Sequence, residues 1–218
     1  MIRPFEYAEF MFILESTRWT ILLSLIAFFS GTLGGLAIAL CRISSSRILS
    51  FLAAIFIRII QGTPLLMQLF LIFFAAPILG LSIDPLSAAA IGLSLNASAF
   101  LGEIWRGCIQ SIPKGQWEAS RALGLHYVMR MRYVILPQAI RIALPPTVGF
   151  LVQLIKATSL AAIIGFTELT RAGQIINNAT FRPFLVFGIV AAIYFALCWP
   201  LSVLSERAER RYALAGKS

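Results

Sequence analysis

Apolar and polar positions fall in long blocks along this chain, not in the two-residue alternation of a half-buried strand. Trp19 to Cys41 carries no charge and is bounded by Arg18 and Arg42. Ile59 to Ile83 is a second uncharged run, whose helix is expected to begin near Ile48. Pro85 to Gly102 is the third, and Pro183 to Ser205 is the last. Between them, Tyr133 to Gly165 is apolar but interrupted by Arg141, Pro145, Pro146 and Lys156. A bilayer core takes about 20 apolar residues per helix. The pattern therefore predicts an all-α integral membrane domain, with spans at about 19–41, 48–76, 85–105, 138–165 and 183–205. The longest connection, about 106–132, lies between the third and fourth spans.

Composition narrows the class. Hydrophobic residues make up 59% and charged residues 12% of the 218 positions, and mean hydropathy is +0.88. Soluble domains carry about 25% charged residues, so a disordered tail, a coiled coil and a water-soluble enzyme are all disfavoured. The net charge of +9 would suggest nucleic acid in a soluble chain. Here twelve of the Lys and Arg residues fall on one side of the spans. Only Arg3, Arg18, Arg171 and Arg182 fall on the other, while Arg58 and Lys156 lie within spans. The positive-inside rule then predicts an external N-terminus and a cytoplasmic C-terminus. The first run is too long for a signal-peptide core, and Glu6, Glu9 and Glu15 precede it. Cys41, Cys108 and Cys198 fit no metal or redox spacing and read as small hydrophobes.

Several positions inside the spans stand out. Gly31 and Gly35 share a helix face and allow close approach, either by another helix of this chain or by a second copy. In Gln61-Gly62-Thr63-Pro64, Pro64 removes an N–H and frees the Ile60 carbonyl. Such a break either lines a wet cavity or is filled by neighbours. Lys156 near mid-membrane costs about 2.5–3.5 kcal/mol and needs a partner, water or cargo. Glu103 and Arg106, three apart, are placed to pair.

The 106–132 connection is far longer than the 2–8 residues that join helices in bundles. Gln116 to Leu123 is rich in helix formers and is broken by Gly124. Trp117, Ala119, Ala122, Leu123 and Tyr127 give it an apolar side. Such a helix fits a groove on another protein or lies on anionic lipid, and the pattern leaves both open.

Glu118-Ala119-Ser120, then Gly124 after three residues, then Val134-Ile135-Leu136-Pro137 after nine more, resembles the EAA loop of ABC-importer permeases. Ser120 stands for the family's second Ala and Val134 for its Ile. Ser111 to Gln116, Gly62-Thr63-Pro64-Leu65, Lys156-Ala157-Thr158-Ser159-Leu160 and Thr180-Phe181 resemble the polar amino-acid branch (histidine, glutamine, arginine, opine). Two departures, Gln61 for the usual Arg and Ala157 for the usual Asp or Asn, bear on cargo identity. The resemblance implies a type I importer core of about five transmembrane helices, half of a pore that works by alternating access in the bacterial inner membrane. It implies an ATPase dimer, a periplasmic or lipid-anchored substrate-binding protein and a second permease chain as partners. Lys114, Gly115, Gln116, Glu118, Ala119, Ser120 and Gly124 would couple to the ATPase. Gln61, Glu103, Lys156, Thr158 and Ser159 would line the path. No GxxxxGK[ST] pattern occurs, so ATP would be bound by the partner and no cofactor or metal by this chain. Gly124→Asp is expected to uncouple transport without unfolding the spans.

Three other readings compete. An intramembrane hydrolase needs paired catalytic groups, and Ser159 with Lys156 is the one conceivable pair; His126 and Asp84 are the only His and Asp. A self-sufficient transporter or channel would commonly show internal repeats, and none is seen. Within the importer class, an opine, a cystine-like compound or a compatible solute is an alternative cargo. Glu103 or Glu168 would attract its ammonium and Lys156 its carboxylate.

Overall fold

The computed structural model describes residues 4–78 and 80–215, with side chains through residue 210. Arg3 lies outside the described residues, as do two of the twelve basic positions counted on the other side, Lys217 entirely and Arg211 in its side chain. Every regular element among the described residues is helical. In order they are α1 (Tyr7–Ile43), α2 (Arg47–Gly62), α3 (Leu65–Ile78), α4 (Pro85–Gln110), α5 (Lys114–Ala122), α6 (Tyr127–Arg130), α7 (Leu136–Ala157), α8 (Leu169–Thr180) and α9 (Pro183–Ala215). A π-helical turn, Met131–Ile135, joins α6 to α7, and a 3₁₀ turn, Thr158–Ala162, follows α7.

Local chemistry sets the boundaries. The Glu6 backbone donates to Glu9 Oε2 at 3.0 Å in a capping box that opens α1. Asp84 caps α4 by accepting from Ser87 N at 3.0 Å, and Pro85 sits at the first helical position. These Ser87 bonds also hold the Asp84 carboxyl below its ordinary range. Glu168 caps α8 by accepting from Arg171 N at 2.9 Å.

Among the described residues, four helices are long and apolar enough to cross a membrane: α1, α4, the segment Tyr127–Ala162 and α9. The stretch expected as one span over 48–76 is instead α2 and α3, bent by 100° at the Gly62–Leu65 break. Counting that pair as one broken span gives five. Many large apolar side chains face outward, among them Leu33 (72% exposed) and Phe184 (96%). Patches of that extent suit hydrocarbon or a protein partner, not water.

Helix α4 is the centre of the bundle. It packs on α1, α2, α3 and α7, and Ala89, Leu93, Ala97 and Leu101 are wholly buried. The glycines of α1 explain the tightness of its largest interface. A Cβ on Gly35 would meet Leu101 Cβ at 2.9 Å and Gly102 N at 3.1 Å, and one on Gly31 would collide with Ala97. The close approach is therefore made within the chain, by α4. Trp105 Nε1 donates to Thr147 Oγ1 at 3.0 Å, joining α4 to α7. Ser205 Oγ donates to the Pro145 carbonyl at 2.8 Å, joining α9 to α7.

Candidate translocation cavities and coupling loop

The α2–α3 break opens onto a cavity of about 260 Å³. Ile60, Gln61, Thr63 and Leu65 line it from the break, Asn96 and Phe100 from α4, and Phe150, Gln153, Leu154 and Ala157 from α7. Three carboxamides therefore converge on it, those of Gln61, Asn96 and Gln153. Phe100 and Phe150 stack at 5.6 Å and form part of its wall. A second cavity of about 540 Å³ shares Gln61 and Phe100 and continues toward the α4–α5 end. Glu103, Arg106, Gly107, Ser111, Ile142 and Pro146 are among its lining residues. Asn96, Phe100, Glu103 and Gly107 recur at steps of four, three and four, so one face of α4 serves both spaces. Pro145 and Pro146 cannot donate to the carbonyls of Arg141 and Ile142. The helix ladder is thus opened beside the second cavity, which Ile142 and Pro146 line.

Charge enters only in the second space. Arg106 Nε donates to Glu103 Oε2 at 2.8 Å and Nη2 to Oε1 at 2.5 Å, while Nη1 reaches Gln110. This is the one ion pair among the described residues. The arrangement can hold a small polar molecule between neutral amide groups and then present it to a fixed pair of opposite charges.

The structure brings Gln61 and Glu103 to these cavities, but not Lys156, Thr158 or Ser159. On α7 the lining positions are Gln153 and Ala157, four apart on one face, and Lys156 is rotated off that face. Lys156 is exposed, on the side of Cys198 in α9. Thr158 is completely buried, donates to the Ile155 carbonyl at 2.7 Å and lies beside Tyr194. Ser159 Oγ donates to the Lys156 carbonyl at 2.7 Å, a backbone contact that leaves no Ser–Lys nucleophile pair. Glu168, considered for an ammonium, is also wholly buried. It accepts from Tyr194 OH at 2.8 Å and Thr20 Oγ1 at 3.4 Å, tying α8 to α9 and α1. Asn96 and Gln153 were not picked out from the sequence. Their signal was a carboxamide inside an otherwise apolar block.

The loop residues assemble on one short helix. Lys114, Gly115, Gln116, Glu118, Ala119 and Ser120 all lie in α5, and Gly124 follows its end. Gly124 has φ +73°. Its N–H donates to the Arg121 carbonyl at 2.9 Å, and Leu125 N–H donates to Ser120 at 3.2 Å. That pair of bonds is a Schellman cap, which requires a left-handed residue. Helix α5 is moored at Trp117, which packs against the cluster formed by Ile109, Ile112, Met131, Ile135 and Ala139. Gln138 Nε2 adds a bond to Gln116 Oε1 at 3.2 Å. Ser120 is 2% exposed and donates to the Trp117 carbonyl, so it supports α5 from beneath and offers no surface. Lys114, Gly115, Gln116, Glu118 and Ala119 are exposed. Glu118 is the fifth residue of α5, beyond the first turn, so it does not stabilise that turn. The apolar side expected across α5 is split. Trp117 faces the chain, whereas Ala119, Ala122, Leu123 (78% exposed), Tyr127 and Val128 face outward.

Known proteins match this arrangement closely. Residues 31–213 match the family model for the binding-protein-dependent transport system inner membrane component. The chain is 41% identical over 205 residues to the probable amino-acid ABC transporter permease protein YckA of Bacillus subtilis, covering 94% of this chain and 91% of that one. It is 41% identical to the L-cystine transport system permease protein TcyB of the same organism, covering 88% and 83%. It is 39% identical to the glutamine transport system permease protein GlnP of Escherichia coli, covering 91% and 92%. A solved amino acid ABC transporter with histidines superposes with a TM-score of 0.88 at 37% identity, covering 96% of this chain and all of that one. The inward-facing MetNI methionine ABC transporter shares the fold, with a TM-score of 0.81 at 22% identity over 95% and 99% of the two chains. The chain thus belongs to the binding-protein-dependent transport system inner membrane component family, the ABC-importer permeases that its EAA loop resembles.

Proposed function

We propose that this chain forms half of the translocation pore of an ATP-driven importer for polar amino acids. The carrying observation is the carboxamide-lined cavity at the α2–α3 break, continuous along α4 with the Glu103–Arg106 mouth. Its size suits a small solute. The printed names of the relatives, amino-acid, cystine and glutamine permeases, support the same cargo class. The N-terminus lies outside and the C-terminus in the cytoplasm of a bacterial inner membrane, as the Lys and Arg distribution supports. Helix α5 then faces the cytosol. Its outward surface of Glu118, Ala119, Ala122 and Leu123 docks in a groove of an ATPase subunit, which binds the ATP. A substrate-binding protein delivers cargo from the opposite side, and a second permease chain completes the pore. ATPase closure drives the two halves between inward- and outward-open states by rigid-body rotation.

The test begins with a pull-down of the tagged chain from solubilised native membranes. The complex retained, with its ATPase and binding protein, is placed in proteoliposomes and offered labelled amino acids. ATP-dependent uptake of a polar amino acid is the expected outcome. Preferential uptake of cystine, an opine or a compatible solute would move the cargo assignment. Uptake by the permease without an ATPase would overturn the mechanism in favour of a self-sufficient transporter.

A further inference from the structure

We propose that Gln68 is the positioning residue of the translocation cavity, and that it acts solely through the donor half of its carboxamide. A helix that breaks inside a membrane must satisfy the backbone groups it frees. Pro64 has no N–H for the Ile60 carbonyl, and Gln68 Nε2 donates to that carbonyl at 2.8 Å. The same nitrogen donates to the Thr63 carbonyl at 3.1 Å and to Thr63 Oγ1 at 2.9 Å. Thr63 Oγ1 is already donating to the Ile59 carbonyl at 2.8 Å, so toward Gln68 it accepts. All three partners of Nε2 are thus acceptors, which fixes the orientation of the amide.

Gln68 stands one turn into α3, and helical side chains lean toward their own N-terminus. Its amide therefore reaches back across the break and bridges the end of α2 to the chain that enters α3. The other half of the carboxamide is idle: Oε1 is buried and has no hydrogen-bond partner among the described residues. Gln68 itself does not line the cavity, but Ile60, Gln61, Thr63 and Leu65 on either side of the clamp do. Fixing the 100° bend fixes where those four residues face Asn96 and Gln153.

The donor-only geometry gives an unusual order of substitutions. Gln68→Lys keeps the donors, on a stem one atom longer that can curl back to the same carbonyls, and places a cation at the C-terminal end of α2, where the helix dipole favours it. Gln68→Glu keeps the shape but aims oxygen at oxygen. Gln68→Met keeps bulk alone. The measurement is cargo uptake by the reconstituted complex, paired with hydrogen exchange of the 59–70 segment in the same preparation. The uptake arm rests on the amino-acid importer reading; the exchange arm does not.

We expect Gln68→Met and Gln68→Glu to raise KM about tenfold, the scale of one or two lost hydrogen bonds. Turnover stays nearly unchanged, and exchange across the break becomes faster. Gln68→Lys returns both readouts close to wild type. Should Gln68→Glu fail to assemble, a double-mutant cycle of Gln68→Met with Thr63→Val replaces it, and non-additive effects are expected. Wild-type exchange and KM in Gln68→Met would overturn the proposal. So would Gln68→Lys as impaired as Gln68→Glu, because a packing role favours Met over both. Wild-type complex that moves no amino acid, with exchange still following the donor order, would overturn the cargo reading and leave the clamp in place.

Discussion

Gly124 offers the sharpest separation of coupling from folding. Its φ of +73° is what allows the Schellman cap, with bonds from Gly124 N to Arg121 and from Leu125 N to Ser120. A Cβ placed there would meet nothing within 4 Å. The cost of a side chain is therefore conformational, not steric. For a β-branched residue the left-handed region costs about 1–2 kcal/mol, a shift of about 5–30-fold in the population holding the turn. That cost falls on an exposed turn outside the apolar cluster of Ile109, Ile112, Met131, Ile135 and Ala139. Gly124→Val should thus disorder the turn from α5 into α6 while leaving the spans intact.

The assay is uptake per ATP hydrolysed by the reconstituted complex, with a thermal melt as control. Gly124→Val is expected to lower that ratio about fivefold or more, in line with the population shift, with an unchanged melting temperature. Gly124→Asn tolerates left-handed backbone and should stay near wild type. Gly124→Asp mixes a tolerated backbone with a new charge, so the Val and Asn pair divides the two effects. The reasoning is refuted if Val couples as well as wild type, or if Val and Asn are equally impaired. The second result would mean that the absent side chain matters, not the φ angle.

Three further outcomes follow from the geometry. Gly35→Val would drive Cβ to 2.9 Å from Leu101 and against the Gly102 backbone, which cannot rotate away; overpacking of that kind costs about 1–3 kcal/mol. A clear fall in melting temperature in detergent is expected, and an unchanged melt would mean that α1 and α4 separate freely. Glu168→Ala removes the cap of α8 and the carboxylate acceptor of the Thr20 and Tyr194 hydroxyls, which keep Leu169 N and Thr170 Oγ1 as partners, at about 1–2 kcal/mol. Faster hydrogen exchange across α8 reads it, and exchange confined to the ends of α1 would count against it. Asp84 is the only Asp, so its carboxyl carbon can be followed by NMR. Its folded pKa is depressed by Ser87, so the support it gives to the start of α4 is present above the unfolded value of about 3.9 and lost as pH falls through the lower folded value. A midpoint at or above the unfolded value would sink this account.

What the sequence disclosed, and what it withheld, follow from one distinction. Long uncharged blocks forecast long helices because hydrocarbon satisfies side chains without regard to direction, and Gly31 and Gly35 forecast a close partner because two residues without Cβ on one helix face let another backbone approach. The break at Pro64 was also legible, down to the carbonyl of Ile60. Its size was not, because the 100° bend depends on Gln68, which stands among apolar neighbours as one more tolerated polar residue. Lys156 attracted notice for the cost of its charge, yet cost says nothing about azimuth, and a single residue along α7 turns a side chain by about 100°. That rotation puts Gln153 and Ala157 on the cavity and Lys156 off it. Glu168 misled for a related reason. Its partners Thr20 and Tyr194 stand 148 and 26 residues away, so the sequence displayed a carboxylate and concealed the hydroxyls that absorb it. In a membrane chain the rarity of a polar residue marks it as constrained, and only its direction decides whether the constraint is a partner, a broken backbone or a cargo. The carboxamides of Gln61, Asn96 and Gln153 converge on one space from three elements of the fold, and where the resemblance leads to Arg and to Asp or Asn, this chain has the neutral Gln61 and Ala157. On the proposed function, selection there rests on hydrogen-bond geometry, which makes the position of the α2–α3 break, and the side chain that clamps it, matter more than any single charge.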